Sequence, residues 1–144
     1  MAVTVREAKS GDERAVIELI GELAQSTSET SPITEDYVRK YLAFPGSNIL
    51  LSEEEDRVVG LLSYSVRPNL YHAANSALIE ELVVREPARG RGVGSALVSE
   101  LLRRLPLLGC AEVSVTTMPD NKEAQRFYRS HGLVDEAVFL EKHL

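Results

Sequence analysis

Short apolar-rich stretches, some alternating with polar residues, predict several β-strands along the chain. Val3 and Val5 alternate with polar neighbours near the start, and Arg57–Val66 is the longest apolar-rich run. The acidic residues of Glu53–Asp56 lie just before that run and predict a turn. Further strands are predicted over Asn48–Ser52, Ala77–Arg85 and Ala111–Thr116, with one or two closing strands after Leu133.

Four other stretches have the apolar spacing of amphipathic helices. Ser10 is a candidate N-cap for the first helix, and Thr34 is one for the short second helix. The third helix is predicted over Gly92–Leu105. The fourth is predicted over Asp120–His131, because Gly132 supplies the residue that often follows a helix C-terminus. The polar stretches Gln25–Pro32 and Arg67–Ser76 predict loops.

The order of these elements predicts an α/β (α+β) fold with a mixed sheet. Antiparallel hairpins come first and a strand–helix–strand crossover follows, so that helices cover both faces of the sheet. The 144 residues fit a single domain, residues 1–144, with its own core.

Composition narrows the function classes. The net charge of −6 argues against nucleic-acid binding, and no apolar run is long enough to cross a bilayer. No signal-peptide pattern begins the chain, and Cys110 is the only cysteine, so we expect a cytoplasmic protein without disulfides or a metal. Residues 1–76 hold 7 Lys and Arg against 12 Asp and Glu, while residues 77–144 hold 9 against 10. If the halves act separately, the first suits a cationic partner and the second an anionic one.

The most unusual local pattern is the sequence RGRGVG, which joins a predicted strand to the third helix. The first amides of a helix have no internal partner, and with the helix dipole they form an anion site. Glycines there leave room for a ligand, and Arg89 and Arg91 add positive charge. A P-loop would need a lysine after its last glycine, but none occurs between Lys40 and Lys122. The dinucleotide fingerprint also fails, because its third glycine or alanine is missing.

The remaining pattern, R-x-x-G-x-G from Arg89 to Gly94, resembles the pyrophosphate loop of the GNAT superfamily of acyl-CoA-dependent N-acyltransferases. A second match is N-K-E-A-Q-R-F-Y, Asn121–Tyr128, which resembles the family's N-x-x-A-x-x-F-Y helix. The motifs occur in the family's order. The resemblance implies the GNAT fold, with about 6–7 strands and a splayed pair of parallel strands that holds acetyl-CoA.

The resemblance also implies which residues contact the cofactor. Backbone groups of Leu82, Val83 and Val84 would face the pantetheine arm and the thioester carbonyl. The remaining implied contacts are the pyrophosphate loop residues Arg89, Gly90, Arg91, Gly92, Val93, Gly94 and Ser95, together with Asn121 and Tyr128. Asn121 can cap its helix, contact the pantetheine, or do both.

Acetyl transfer to an amine requires two proton movements. An amine with a pKa near ~10.4 must lose a proton, which a carboxylate can take directly or through water. Glu80 and Glu81 lie on the strand beside the expected thioester. Neighbouring strand residues face opposite sides, so only one would serve unless a β-bulge brings both together; we favour Glu80. Tyr128 matches the family's usual proton donor to the leaving thiolate.

The acceptor is less well specified. We expect it over the first two helices and the loops Gln25–Pro32 and Arg67–Ser76. Acidity in the first half favours a small cationic amine, such as a polyamine or an aminoglycoside-like amine. A protein N-terminus or lysine is the rival acceptor, and a non-catalytic acyl-CoA sensor is the rival class. Similar proteins are often dimers, so a homodimer is a further hypothesis.

Overall fold

The computed structural model describes residues 2–144. Its strands are β1 Thr4–Glu7, β2 Ser47–Glu54, β3 Arg57–Asn69, β4 Ala74–Val84 and β5 Cys110–Val115. Its α-helices are α1 Glu13–Gln25, α2 Glu35–Ala43, α3 Val93–Arg104 and α4 Lys122–Ser130. Short 3₁₀ turns occupy Glu86–Ala88 and Pro106–Leu108.

The five strands form one sheet in sequence order, β1-β2-β3-β4-β5. The first three pairings are antiparallel, and β4 pairs with β5 in parallel after the crossover through α3. This is the mixed sheet that the order of elements predicted.

Each face of the sheet is covered by helices. On one face, Leu97 and Leu101 of α3 pack with Leu62 of β3 in a buried cluster that also contains Tyr128 of α4. On the other face, α1 and α2 contribute to a second cluster built around Leu19 and Leu61. Neighbouring residues of β3 thus serve opposite cores, as strand geometry requires.

The first two helices begin differently. Thr34 is the N-cap of α2, as predicted, because its hydroxyl accepts a hydrogen bond of 3.1 Å from the amide of Tyr37. The prediction that Ser10 caps α1 is wrong, because the N-cap position is Asp12. The Asp12 carboxylate makes no cap bond and instead accepts bonds of 2.8 and 2.9 Å from Arg6. This ion pair ties the helix start to β1 and lowers the pKa of Asp12.

Two strand predictions are also corrected. The expected loop Arg67–Ser76 is mostly hairpin, because pairing continues from Arg67↔Ser76 to Asn69↔Ala74. No strand occurs after Leu133, so the described residues form five strands rather than six or seven. Four apolar residues in a row, 137–140, lie between charged ones in that segment, and such a run lacks the alternation that gives a strand one buried face.

Candidate active site

The strands β4 and β5 separate part of the way along β4. Their parallel pairing ends at Ile79↔Val115, although β4 continues to Val84. Along Glu80–Val84 the strand therefore has β3 on one edge and no strand on the other. This gap is the splayed pair that the resemblance implied, and the residues predicted to face the cofactor, Leu82, Val83 and Val84, lie along it.

A β-bulge brings the two carboxylates to one face. Ser63 pairs with Glu81 while Tyr64 pairs with Ile79, so Glu80 is the extra residue. Ile79 packs in the α3 cluster, which places Glu80 on the α1–α2 face. Glu81 lines a cavity on that same face. The sequence left open whether Glu80 and Glu81 face opposite sides of the sheet or are brought to one side by a bulge. The structure has the bulge.

The two carboxylates differ in their surroundings. The Ser63 hydroxyl donates a short hydrogen bond to Glu81, and the Glu81 amide donates one of 3.0 Å back to the Ser63 hydroxyl. Glu80 is more exposed, but partial burial of its carboxyl group raises its pKa. The charge of Glu81 raises that pKa further, and a hydrogen bond from Ser65 opposes the change. Glu80 therefore holds a proton more readily than an ordinary carboxylate.

The cavity beside Glu81 has a volume of about 410 Å³. It lies between α1, α2 and the middle of the sheet, within the size range of small-molecule sites. Its lining residues are Val16, Ile20, Ser31, Pro32, Ile33, Thr34, Tyr37, Val38, Tyr41, Ile49, Leu61, Ser63 and Glu81. Burial, and then the charges of Glu81 and Glu80, raise the pKa of Tyr41 to about 12, so its hydroxyl remains a hydrogen-bond donor at neutral pH.

Tyr128 lies on the opposite face of the sheet. It is 9% exposed and packs in the α3 cluster together with residues of β4 and β5. Burial raises its pKa to about 12, so the hydroxyl is protonated at neutral pH. Asn121 caps α4, because its side-chain oxygen accepts a bond of 3.1 Å from the amide of Ala124. The capping role of Asn121 is thus confirmed, while its contact with a cofactor stays a prediction.

The segment between β4 and α3 has the geometry of an anion site. Gly92 is the N-cap of α3 with φ 82°, a left-handed conformation that favours glycine, and it offers no side chain to the helix start. The first amides of α3, at Val93, Gly94 and Ser95, have no carbonyl partner within the helix. A Cβ added at Gly90 or Gly92 would meet nothing within 4 Å, so the approach to these amides is open.

The arginines of this loop are already paired with acidic residues of the first half. Arg89 donates a bond of 2.9 Å to the carbonyl of Val84 and lies 3.5 Å from a Glu22 oxygen. Arg91 lies 2.8 Å from a Glu54 oxygen. An incoming phosphate would therefore compete with two carboxylates for these guanidinium groups.

Several residues near the site were not singled out by the sequence. Tyr41 and Ser63 lie beside Glu81, and His131 lies 3.2 Å from the Ser95 hydroxyl at the start of α3. Ser63 interrupts the apolar run of β3, and this polar interruption was a signal that could have marked it. The positions of Tyr41 and His131 depend on helix packing, which no local pattern reveals.

Two other residues with reactive side chains, Cys110 and His72, do not line the cavity. Burial raises the pKa of Cys110, which disfavours the reactive thiolate. His72, at the β3–β4 turn, pairs with Glu112 of β5 at 3.1 Å rather than lining the cavity. Within residues 2–144 no cluster of three potential metal ligands occurs, and no helix is long and apolar enough to span a membrane.

Known proteins share this architecture. A model of the GNAT acetyltransferase family matches residues 16–133. Aminoalkylphosphonate N-acetyltransferase of Salmonella typhimurium is 28% identical over 128 residues, which cover 89% of this chain and 82% of that protein. Thialysine N-epsilon-acetyltransferase of Bos taurus is 28% identical over 145 residues, which cover 92% and 85%. A solved structure from Agrobacterium tumefaciens str. C58 superposes with a TM-score of 0.88 at 28% identity, over 98% of this chain and 99% of that one.

The fold and these relatives define the class of the protein, which is an acyltransferase. The chain belongs to the GNAT family of acetyltransferases and is an N-acetyltransferase. Members of this family generally use acetyl-CoA as the acetyl donor.

Proposed function

We propose that the protein transfers the acetyl group of acetyl-CoA directly to the primary amine of a small cationic molecule, without an acyl-enzyme. The observation that carries this proposal is the meeting of three features around the open edge of Glu80–Val84. These are a cavity with a carboxylate on one face, a buried tyrosine on the other, and unpaired helix amides at the end of the gap.

The donor side of the site offers groups that suit coenzyme A. The α3 amides and the open space at Gly90 and Gly92 suit a diphosphate. The unpaired edge of Leu82–Val84 offers main-chain hydrogen bonds to an extended arm. Acetyl-CoA supplies a thioester whose carbonyl carbon is open to attack.

Two carboxylates divide the work on the acceptor side. Glu81 lines the cavity and binds the ammonium group of the acceptor, while Ser63 holds its side chain in place. Glu80 takes the proton that the ammonium loses, directly or through water, because its raised pKa makes it the stronger base. The neutral amine nitrogen then bonds to the thioester carbon, the carbon–sulfur bond breaks, and the nitrogen loses its second proton to solvent.

Tyr128 returns a proton on the far side of the gap. It lies on the face of the sheet opposite the carboxylates. A thioester placed in the gap between β4 and β5 can therefore be reached by the carboxylates from one side and by Tyr128 from the other. The protonated hydroxyl of Tyr128 donates its proton to the departing thiolate.

The experiment that tests this proposal measures donor binding and transfer separately. Calorimetry should show that acetyl-CoA binds, and thiol release should require an added amine. Acetyl-CoA binding without turnover across a broad amine panel would support the acyl-CoA sensor instead. Transfer only to protein N-termini or lysines would support the rival acceptor. Pre-steady-state release of thiol before amine is added would contradict direct attack.

A further inference from the structure

The acceptor cavity has almost no charge on its walls. Of its thirteen lining residues, seven are apolar, five carry a hydroxyl group, and Glu81 alone is charged. None of the lining residues is a lysine, an arginine or a histidine. The cavity can therefore pair one positive charge of a ligand and no negative charge.

Four acidic residues of the first half pair with arginines away from the cavity. Glu18 pairs with Arg85 at 2.9 Å, and Glu22 and Glu54 pair with the two arginines of the α3 loop. Glu53 pairs with Arg6. These four carboxylates pair with arginines outside the cavity, so they do not add negative charge to its walls.

We infer that the acceptor is a monoamine, with a single ammonium group on an uncharged and largely apolar body; this rests on the proposed function. A second ammonium would lie against uncharged walls without a carboxylate to pair with, which is costly in a partly desolvated cavity. A carboxylate or phosphonate would meet the same walls and be repelled by Glu81. Polyamines and zwitterionic amines are therefore poor acceptors.

Three amines with the same four-carbon chain test this inference: butylamine, 1,4-diaminobutane and 4-aminobutanoate. Their short chain keeps the far end of each molecule between the cavity walls. With the full-length protein and saturating acetyl-CoA, kcat/KM from thiol release should be about tenfold or more higher for butylamine than for either charged analogue. The diamine should have a lower kcat/KM than butylamine although it offers two reactive amines. An equal or higher kcat/KM for either analogue would overturn the inference.

A wall variant sharpens the test. Ile33 precedes α2 and is only partly buried, so a longer side chain can be accommodated there. Ile33→Lys should raise kcat/KM for 4-aminobutanoate relative to butylamine by about tenfold, because it supplies the missing cation. The matched variant Ile33→Met, with a flexible but neutral side chain, should preserve the wild-type order. Equal effects of Ile33→Lys on all three amines would count against the inference.

The outcomes separate this inference from the proposed function. If acetyl-CoA binds and no amine is acetylated, the proposed function fails. If small amines are acetylated but the diamine is preferred, the monoamine inference fails while the proposed function stands. Calorimetric binding of each amine to the protein saturated with coenzyme A gives a second readout, in which butylamine should again bind most tightly.

Discussion

The two halves of β4 differ in what lies along their outer edge. Residues 75–79 have a strand on either side, and their side chains mainly complete the sheet and the cores. Glu80–Val84 pairs only with β3 and begins with a bulge. Backbone groups left unpaired by the fold are costly unless water or a ligand satisfies them, so the open half is where a ligand can bind. One strand thus has a paired half and an open half, and the change occurs where its pairing with β5 ends.

If the open half carries the chemistry, Glu80→Gln should have the largest effect. We expect kcat/KM at neutral pH to fall by about 10²–10³-fold, since the amide cannot accept the proton. In the wild-type protein the activity should fall as pH decreases through the raised pKa of Glu80, at a higher pH than for an ordinary carboxylate. That acid limb should disappear in the variant.

The matched control for this variant is Glu112→Gln on β5. Glu112 pairs with His72 away from the cavity, so its loss should leave kcat/KM nearly unchanged. Near wild-type activity of Glu80→Gln would mean that another group is the base. It would also contradict the separate roles proposed for Glu80 and Glu81.

The next effect concerns the opposite face of the gap. Tyr128→Phe should lower kcat by about tenfold to a hundredfold while acetyl-CoA affinity barely changes, because only the proton donor is removed. Tyr71→Phe at the exposed β3–β4 turn is the control and should behave like the wild type. Turnover is measured by thiol release and affinity by calorimetry; full turnover of Tyr128→Phe would remove the tyrosine from the mechanism.

A smaller effect is expected at the start of α3. Gly92→Ala forces a Cβ into a left-handed conformation, which costs roughly 1–2 kcal/mol unless the loop shifts and turns its amides away. Acetyl-CoA affinity should then fall about tenfold in calorimetry. Gly109→Ala is the control, because Gly109 has a similar φ of 71° outside the loop. It should lower the thermal midpoint comparably and leave affinity intact; equal affinity losses would point to general destabilisation.

The smallest effect tests the competition for Arg91. Glu54→Gln frees the guanidinium from its carboxylate, and acetyl-CoA affinity should rise about two- to fivefold at low salt. The gain should shrink as salt screens the charges. Glu100→Gln, which frees Arg103 and Arg104 at the other end of α3, should leave affinity unchanged. Weaker binding in Glu54→Gln would mean that the acid positions Arg91 for the ligand.

Much of the fold was determined locally and could be predicted. Apolar periodicity located every helix and the five strands, because each element must bury one face. The cap at Thr34 and the helix end at Gly132 follow from side-chain and backbone chemistry within a few residues. The prediction of the α1 cap was wrong because Asp12 takes the N-cap position and its carboxylate pairs with Arg6 of β1. The prediction of closing strands was wrong because a strand forms only where a partner edge is available.

The sequence by itself determined the glycine and arginine loop, the Asn121–Tyr128 helix and the carboxylate pair at Glu80 and Glu81. The tertiary structure decided which face those carboxylates occupy, since a bulge is defined by the partner strand. It also decided which acids of the first half pair with arginines, and that Glu81 is the one charged residue lining the cavity. Charges in a sequence can be counted, but only packing decides which of them meet.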